Sequence, residues 1–265
     1  MKLVTLSIEQ GIATVTLNRP DKLNALNFEM FKQLDATIKK LKKERQVRVV
    51  LLTAQGADFC TGLDVKSVMK SGMSVVKLLW KWLPGNQNLA QRVVLGWQSL
   101  PIPVIAVING RCWGGGTQIV LGADYRIASP DASFAIMEAR WGLAPDMGAS
   151  LSLSHLIGRD QALLLSSTAE PFSADQALKL GLLTATDAEP LTYARQLAQS
   201  LMVRSPDTLA AIKRLYQTSY GATTRKTLAR ETYNQVRLLL SKNTRIAINN
   251  QQADHTTPYQ QAKKW

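Results

Sequence analysis

The sequence predicts an α/β fold that ends in a run of helices, on three observations. Short runs rich in β-branched residues, at 47–53 and 104–108, read as buried strands. Segments of helical periodicity or composition separate the strands, the alternation expected of strands laid side by side and joined by helices. From about Thr192 onward the pattern is helical alone. With 265 residues, 46% of them hydrophobic, the chain can bury one substantial core and carry an appended helical portion. We divide it into 1–191 and 192–265.

Residues 3–7 and 12–17 flank Gly11 as a hairpin. Asn27 stands where a side-chain oxygen can take a free amide of the first turn. The helix it opens runs to about Glu44, with Phe31, Leu34, Ile38 and Leu41 as its apolar stripe. Residues 47–53 form the next strand. Residues 64–100 are the least constrained part. Met69, Met73, Val75, Val76, Leu78, Leu79, Trp80, Trp82 and Leu83 make them rich in adaptable and aromatic apolar groups, interrupted by Pro84-Gly85. Strand 104–108 lies between prolines and Asn109-Gly110, then Gly114-Gly115-Gly116 turns into a helix at 117–121. Strands at 125–128 and 134–137 follow. Residues 147–156 can form a helix, Ser205-Pro206-Asp207 opens a later one, and 230–240 lie in another.

Chemistry concentrates in residues 106–148. Adjacent glycines let backbone come close to a ligand, and a helix starting there presents free N–H groups and the positive end of its dipole. Such a turn suits a developing negative charge. A plain packing turn is the alternative, and the spacing is neither GxGxxG nor GxxxxGK[ST], so common nucleotide-phosphate binding is not supported. Glu138 follows at the end of strand 134–137, with Trp141 and Leu143 nearby. Apolar surroundings raise a carboxyl's pKa toward the range useful for proton transfer. An ion pair with Arg140 is the alternative use of that carboxylate.

Five motifs in order resemble the signatures of the crotonase (enoyl-CoA hydratase/isomerase) superfamily. They are Asn18-Arg19-Pro20-Asp21-Lys22-Leu23-Asn24-Ala25-Leu26, then Asp58-Phe59-Cys60-Thr61-Gly62-Leu63-Asp64, then Asn109-Gly110 with the glycine turn, then residues 134–148, and last Phe172-Ser173-Ala174-Asp175-Gln176-Ala177 leading to Gly181-Leu182-Leu183. The resemblance covers almost the whole chain. It implies a crotonase-type spiral of ββα turns over 1–191, for acyl-CoA binding and catalysis. It also implies that 192–265 packs homotrimers, often pairs of trimers, with Lys263 and Lys264 reaching a neighbour's CoA site.

The resemblance also implies residue roles. The N–H groups of Leu63 and Gly115 form an oxyanion hole for the thioester carbonyl of an acyl-CoA, and one such donor is typically worth about 2.7–4 kcal/mol. Lys22, Leu23, Thr61, Gly62, Asp64, Lys66 and Gly114 join them along the substrate and CoA cleft. CoA enters as part of the substrate, with no separate cofactor. Residues 64–100 wall the acyl pocket in this family, which suggests a long or bulky acyl group, although core packing explains such a stripe as well. Family hydratases carry two glutamates, one shortly after the glycine turn. Here that position is Gln118, which can hold a water by hydrogen bonding but cannot move a proton at neutral pH. The second position is Glu138. One glutamate is enough to shift a double bond from the 3,4 to the 2,3 position, so an isomerase of fatty acid metabolism is the leading expectation. Asp146 falls where the dienoyl-CoA isomerase branch carries a catalytic aspartate, although that branch also has an aspartate in place of Gln118. Capping of a helix at 147–156 is the alternative for Asp146. A hydratase or other crotonase reaction is the second expectation.

With 32 Lys+Arg against 19 Asp+Glu, the formal charge is +13, which suits a polyanionic substrate. Lys39, Lys40, Lys42, Lys43, Arg45 and Arg48 cluster late in the first long helix, where a solvated helix end is the ordinary reading. An RNA- or membrane-binding protein with vestigial activity is the expectation of a different class, with no RNA-recognition signature behind it. Cys60 and Cys112 show no paired framework, so free thiols are expected and no metal site is indicated. His155, in the helix expected around 152–156, and His255, in the polar tail, give no triad. Without a signal-peptide pattern or a membrane-length apolar run, a cytoplasmic location is expected.

Overall fold

The computed structural model describes residues 2–69, 72–219, 221–252 and 256–262. His255, Lys263 and Lys264 lie outside the described residues. Nine strands and twelve helices follow one another among the described residues: β1 (Val4–Glu9), β2 (Ile12–Leu17), α1 (Phe28–Leu41), β3 (Val49–Ala54), α2 (Val65–Met69), α3 (Gly72–Leu79), α4 (Leu89–Ser99), β4 (Val104–Ile108), β5 (Arg111–Trp113), α5 (Gly115–Leu121), β6 (Tyr125–Ala128), β7 (Ser133–Ala135), α6 (Ala149–Leu153), α7 (Arg159–Thr168), β8 (Phe172–Ser173), α8 (Ala174–Lys179), β9 (Ala185–Thr186), α9 (Pro190–Met202), α10 (Pro206–Ser219), α11 (Thr224–Leu239) and α12 (Lys242–Gln252).

The strands form two sheets, β1-β2-β3-β4-β6-β9 and β5-β7-β8. Within the larger sheet β1 and β2 are antiparallel, and every later pairing is parallel. Successive chain segments visit the large sheet, then the small one, then a helix. β4, β5 and α5 make one such turn, and β6, β7 and α6–α7 make the next. A bridge from Cys60 to Cys112 extends the same pattern back to β3. This is the ββα spiral that the motifs implied.

Burial explains the apolar runs of β3 and β4. Val50 and Leu52, with Val104, Ala106 and Ile108, face the main core. Val49, Leu51, Ile105 and Val107 face Ala194 and Ala198 of α9 on the opposite side of the sheet. Strands covered on both faces need apolar residues at consecutive positions. Asn27 caps α1 by accepting the Met30 N–H at 2.9 Å, and Asn88 and Gln91 form a reciprocal capping box on α4. From α10, the buried Lys213 ammonium reaches Asp124 at 2.6 Å and the carbonyls of Trp97 and Ile102, fastening the helical region to the core.

Several expectations change. Arg48 does not belong to a solvated helix end. It is half-buried, donates to the Met202 and Arg204 carbonyls at 3.2 and 2.6 Å, and lies over the Tyr259 ring. The helix expected at 147–156 shortens to Ala149–Leu153, which leaves His155 beyond its end. No helix among the described residues is long and apolar enough to cross a membrane.

Candidate active site

Two backbone amides meet where the small sheet joins α5. Leu26 donates to the Gly62 carbonyl at 2.7 Å and accepts from the Asp64 N–H at 3.0 Å. In that parallel pairing the Leu63 N–H points away from Leu26. Across from it, the Gly114 N–H is fixed on the Ala135 carbonyl at 2.7 Å, and Gly115 opens α5 with its own N–H free of the helix ladder. Among the described residues, neither the Leu63 nor the Gly115 N–H finds an acceptor. Gly62 brings them together: at φ +92°, a Cβ there would stand 3.1 Å from the Trp113 carbonyl oxygen and 3.5 Å from the Gly115 nitrogen. Gly114, at φ 51° and ψ −120°, also occupies backbone space that side chains avoid. A Cβ there would lie 3.8 Å from Glu138 Oε1, so the carboxylate stands beside the turn.

Glu138 does not end a strand. β7 stops at Ala135, and Glu138 opens a 3-10 turn, Glu138–Trp141. Arg140 pairs with Glu170 at 2.7 Å, which leaves Glu138 out of that ion pair. Trp141 and Leu143, expected to enclose it, are 64% and 61% exposed. The fully buried Gln118 and the glycine turn stand against the carboxylate instead. Burial pushes the Glu138 carboxyl above its usual range, against its own and the Met137 backbone amides and the bond from Gln118, and the Asp146 charge raises it further. Oε1 accepts from Gln118 Nε2 at 2.6 Å, while Oε2 is buried with no hydrogen-bond partner among the described residues.

Asp146 is not a helix cap. α6 starts from Gly148 at φ +101°, with no side-chain capping bond. Asp146 is exposed on its outer side, yet the protein packed around its carboxyl pushes it above the usual range. Its backbone is held at two points: its carbonyl accepts from Gln91 Nε2 at 3.3 Å, and the next N–H, of Met147, donates to Gln118 Oε1 at 3.1 Å.

The other expected contacts line one edge. Thr61 binds the Leu23 carbonyl through both its N–H and its hydroxyl, which lays residues 61–63 alongside 23–26. Leu23, Leu63, Lys22 and Lys66 are exposed. Asp64 is occupied structurally: it accepts from Arg19 Nη1 at 2.8 Å and from the Ser67 N–H at 3.0 Å. Against the cost of burial, the Arg19 guanidinium, the Ser67 amide and the Lys22 charge hold its carboxyl below the usual range. Sequence reasoning missed that Arg19 ties the first motif to the second, and missed Gln91. The Asn88-to-Gln91 spacing of a capping box is the signal that could have found the latter. Cys60 and Cys112 are free and buried, and burial pushes the Cys60 thiol up to about 12. Among the described residues, no group of three or more His, Cys, Asp or Glu is placed to hold a metal.

This geometry offers two unpaired amides for an oxyanion and one desolvated carboxylate beside them. The family profile for enoyl-CoA hydratase/isomerase matches residues 7–252. The chain is 34% identical over 223 residues to the 1,2-epoxyphenylacetyl-CoA isomerase of Escherichia coli, covering 80% of this chain and 81% of that one. To the short-chain-enoyl-CoA hydratase of Clostridium acetobutylicum it is 35% identical over 206 residues, covering 77% and 76%. Among solved structures, a putative enoyl-CoA hydratase of Streptomyces coelicolor superposes with a TM-score of 0.87 at 28% identity, over 97% of this chain and 94% of that one. An enoyl-CoA hydratase of Mycobacterium smegmatis gives 0.87 at 26% identity, over 97% and 98%.

Proposed function

The chain belongs to the enoyl-CoA hydratase/isomerase family, and we propose that within it the protein is an acyl-CoA double-bond isomerase with Glu138 as its proton carrier. The thioester oxygen of a 3-enoyl-CoA accepts from the Leu63 and Gly115 N–H groups. Glu138, as carboxylate, takes the α-proton. The C–H electron pair moves into the thioester, and the negative charge gathers on the oxygen facing the two amides. The resulting carboxylic acid then returns the proton to the γ-carbon. The double bond now lies between the α- and β-carbons, and Glu138 is again a carboxylate.

The observation that carries this reading is Gln118. It occupies the position of the first hydratase glutamate, is fully buried, and has its amide committed at both ends to Glu138 and Met147. It holds the base and supplies no second acid. The relatives' names include both an isomerase and a hydratase, so the preference rests on these residues. A second reading comes from Asp146, whose charge raises Glu138: a second carboxylate further along the acyl chain serves a longer proton shift on a dienoyl substrate.

In this reading Lys22 and Lys66 meet the phosphate or adenine end of CoA. Residues 192–265 assemble trimers or pairs of trimers, supported by exposed Leu228, Tyr233, Val236, Leu239 and Leu240 on and after α11. The test incubates the protein with 3-enoyl-, 3,5-dienoyl- and 2-enoyl-CoA, following conjugation and water addition separately. Conjugation without hydration is expected. Faster hydration of 2-enoyl-CoA than isomerisation of either other substrate overturns the assignment, as does salt-sensitive RNA retention with no acyl-CoA turnover.

A further inference from the structure

Four hydrogen bonds running in one direction end on Glu138. The Asn88 N–H donates to Gln91 Oε1 at 3.1 Å, and Gln91 Nε2 donates to the Asp146 carbonyl at 3.3 Å. The Met147 N–H, on the far side of the same peptide, donates to Gln118 Oε1 at 3.1 Å, and Gln118 Nε2 donates to Glu138 Oε1 at 2.6 Å. Each amide orientation is forced. A backbone N–H only donates and a carbonyl only accepts, so neither glutamine can flip without losing both of its bonds. In a planar trans peptide the C=O and N–H point opposite ways, so the Asp146–Met147 peptide passes the chain on in the same sense.

We propose that Gln91, at the start of α4, is a positioning residue for the Glu138 carboxylate, acting through this one-way chain. It rests on the reading of Glu138 as the proton carrier. Gln91 touches neither Glu138 nor the oxyanion amides. It fixes the Asp146–Met147 peptide, which fixes Gln118, which holds the Glu138 carboxylate beside the glycine turn. Aligned amide dipoles strengthen one another, and here every positive end points at the carboxylate.

The charged surroundings are simple. Asp146, in the following loop, raises Glu138 through its charge, Arg140 is drawn off to Glu170, α5 contributes neutral Gln118, and Arg92 of α4 is engaged by Asp35.

The test is a double-mutant cycle, Gln91→Met and Gln118→Met singly and together. It is read by the titration midpoint of Glu138 in full-length protein with 13C-labelled glutamate carboxyls, assigned by the signal lost in Glu138→Gln. Ser173→Ala, which removes the unrelated cap of α8, controls for general loss of stability. Gln91→Met is expected to raise the midpoint by about 0.2–0.4 pH units, a fraction of the last, charge-assisted bond. It shifts the acid limb of kcat/KM by the same amount and leaves KM unchanged. In the Gln118→Met background the same substitution is expected to do nothing. A Gln91→Met midpoint no different from Ser173→Ala, or an equal effect with and without Gln118, overturns the proposal. If the wild type turns over no acyl-CoA, the proposed reaction falls, while the titration still decides the chain.

Discussion

Gly62→Ala strikes the oxyanion pair without touching a side chain. At φ +92° an alanine pays for a left-handed backbone, about 1–2 kcal/mol. Its Cβ would stand 3.1 Å from the Trp113 carbonyl and 3.5 Å from the Gly115 nitrogen, the first tighter than ordinary contact. The backbone at Trp113 and Gly114 is held by bonds to Cys60 and Ala135 at 2.9 and 2.7 Å, and residues 61–63 are held on Leu23 and Leu26, so relieving the contact changes the spacing of the two amides. Displacing the Leu63 N–H from the enolate oxygen forfeits most of one donor, about 2.7–4 kcal/mol, or about 10²–10³ in kcat. The assay is the rate of conjugation of a 3-enoyl-CoA, with a thermal melt of the same sample. A modest loss of melting temperature and a two- to three-decade loss of kcat are expected. A variant that retains kcat within about threefold of wild type, a small fraction of that barrier, refutes the assignment of Leu63.

Three further expectations follow from the charged groups. Because Glu138 binds its proton more tightly folded than unfolded, its contribution to stability is full at low pH and lost as pH rises through the folded value. Glu138→Gln therefore gains in melting temperature relative to wild type across that rise, while isomerisation falls by about 10²–10⁴; an activity loss with no pH-dependent gain contradicts the burial argument. Asp146→Asn removes a negative charge that raises Glu138, so the acid limb of the kcat/KM profile moves to lower pH, and an upward move would show that Asp146 acts otherwise. Lys213→Met leaves Asp124 buried without its cation and is expected to cost about 3–5 kcal/mol by denaturant unfolding; an unfolding curve coincident with wild type contradicts that role.

What the sequence revealed follows from the range of the forces involved. β4 was legible because a strand covered on both faces must be apolar at every position, and Asn27 because a cap acts three residues away. The glycine turn and Glu138 were legible because close backbone approach and isolated charge leave marks in composition. The placement of Glu138 in a 3-10 turn, and the failure of Asp146 to cap α6, were not. Both depend on how the chain turns between β7 and the left-handed Gly148. Nor could local pattern show that Gln91 reaches Asp146, 55 residues on, or that Lys213 crosses 111 residues to the Ile102 carbonyl. Arg48 misled for the same reason: it follows a basic helix in sequence but is enclosed by Met202, Arg204 and Tyr259.

The most direct test of a single shuttling carboxylate is the fate of the α-hydrogen. A 3-enoyl-CoA deuterated at the α-carbon, turned over once in ordinary water, is predicted to yield product carrying deuterium at the γ-carbon, with Glu138→Gln giving no such transfer. Turnover by Glu138→Gln at the wild-type rate with the same labelling would contradict the account.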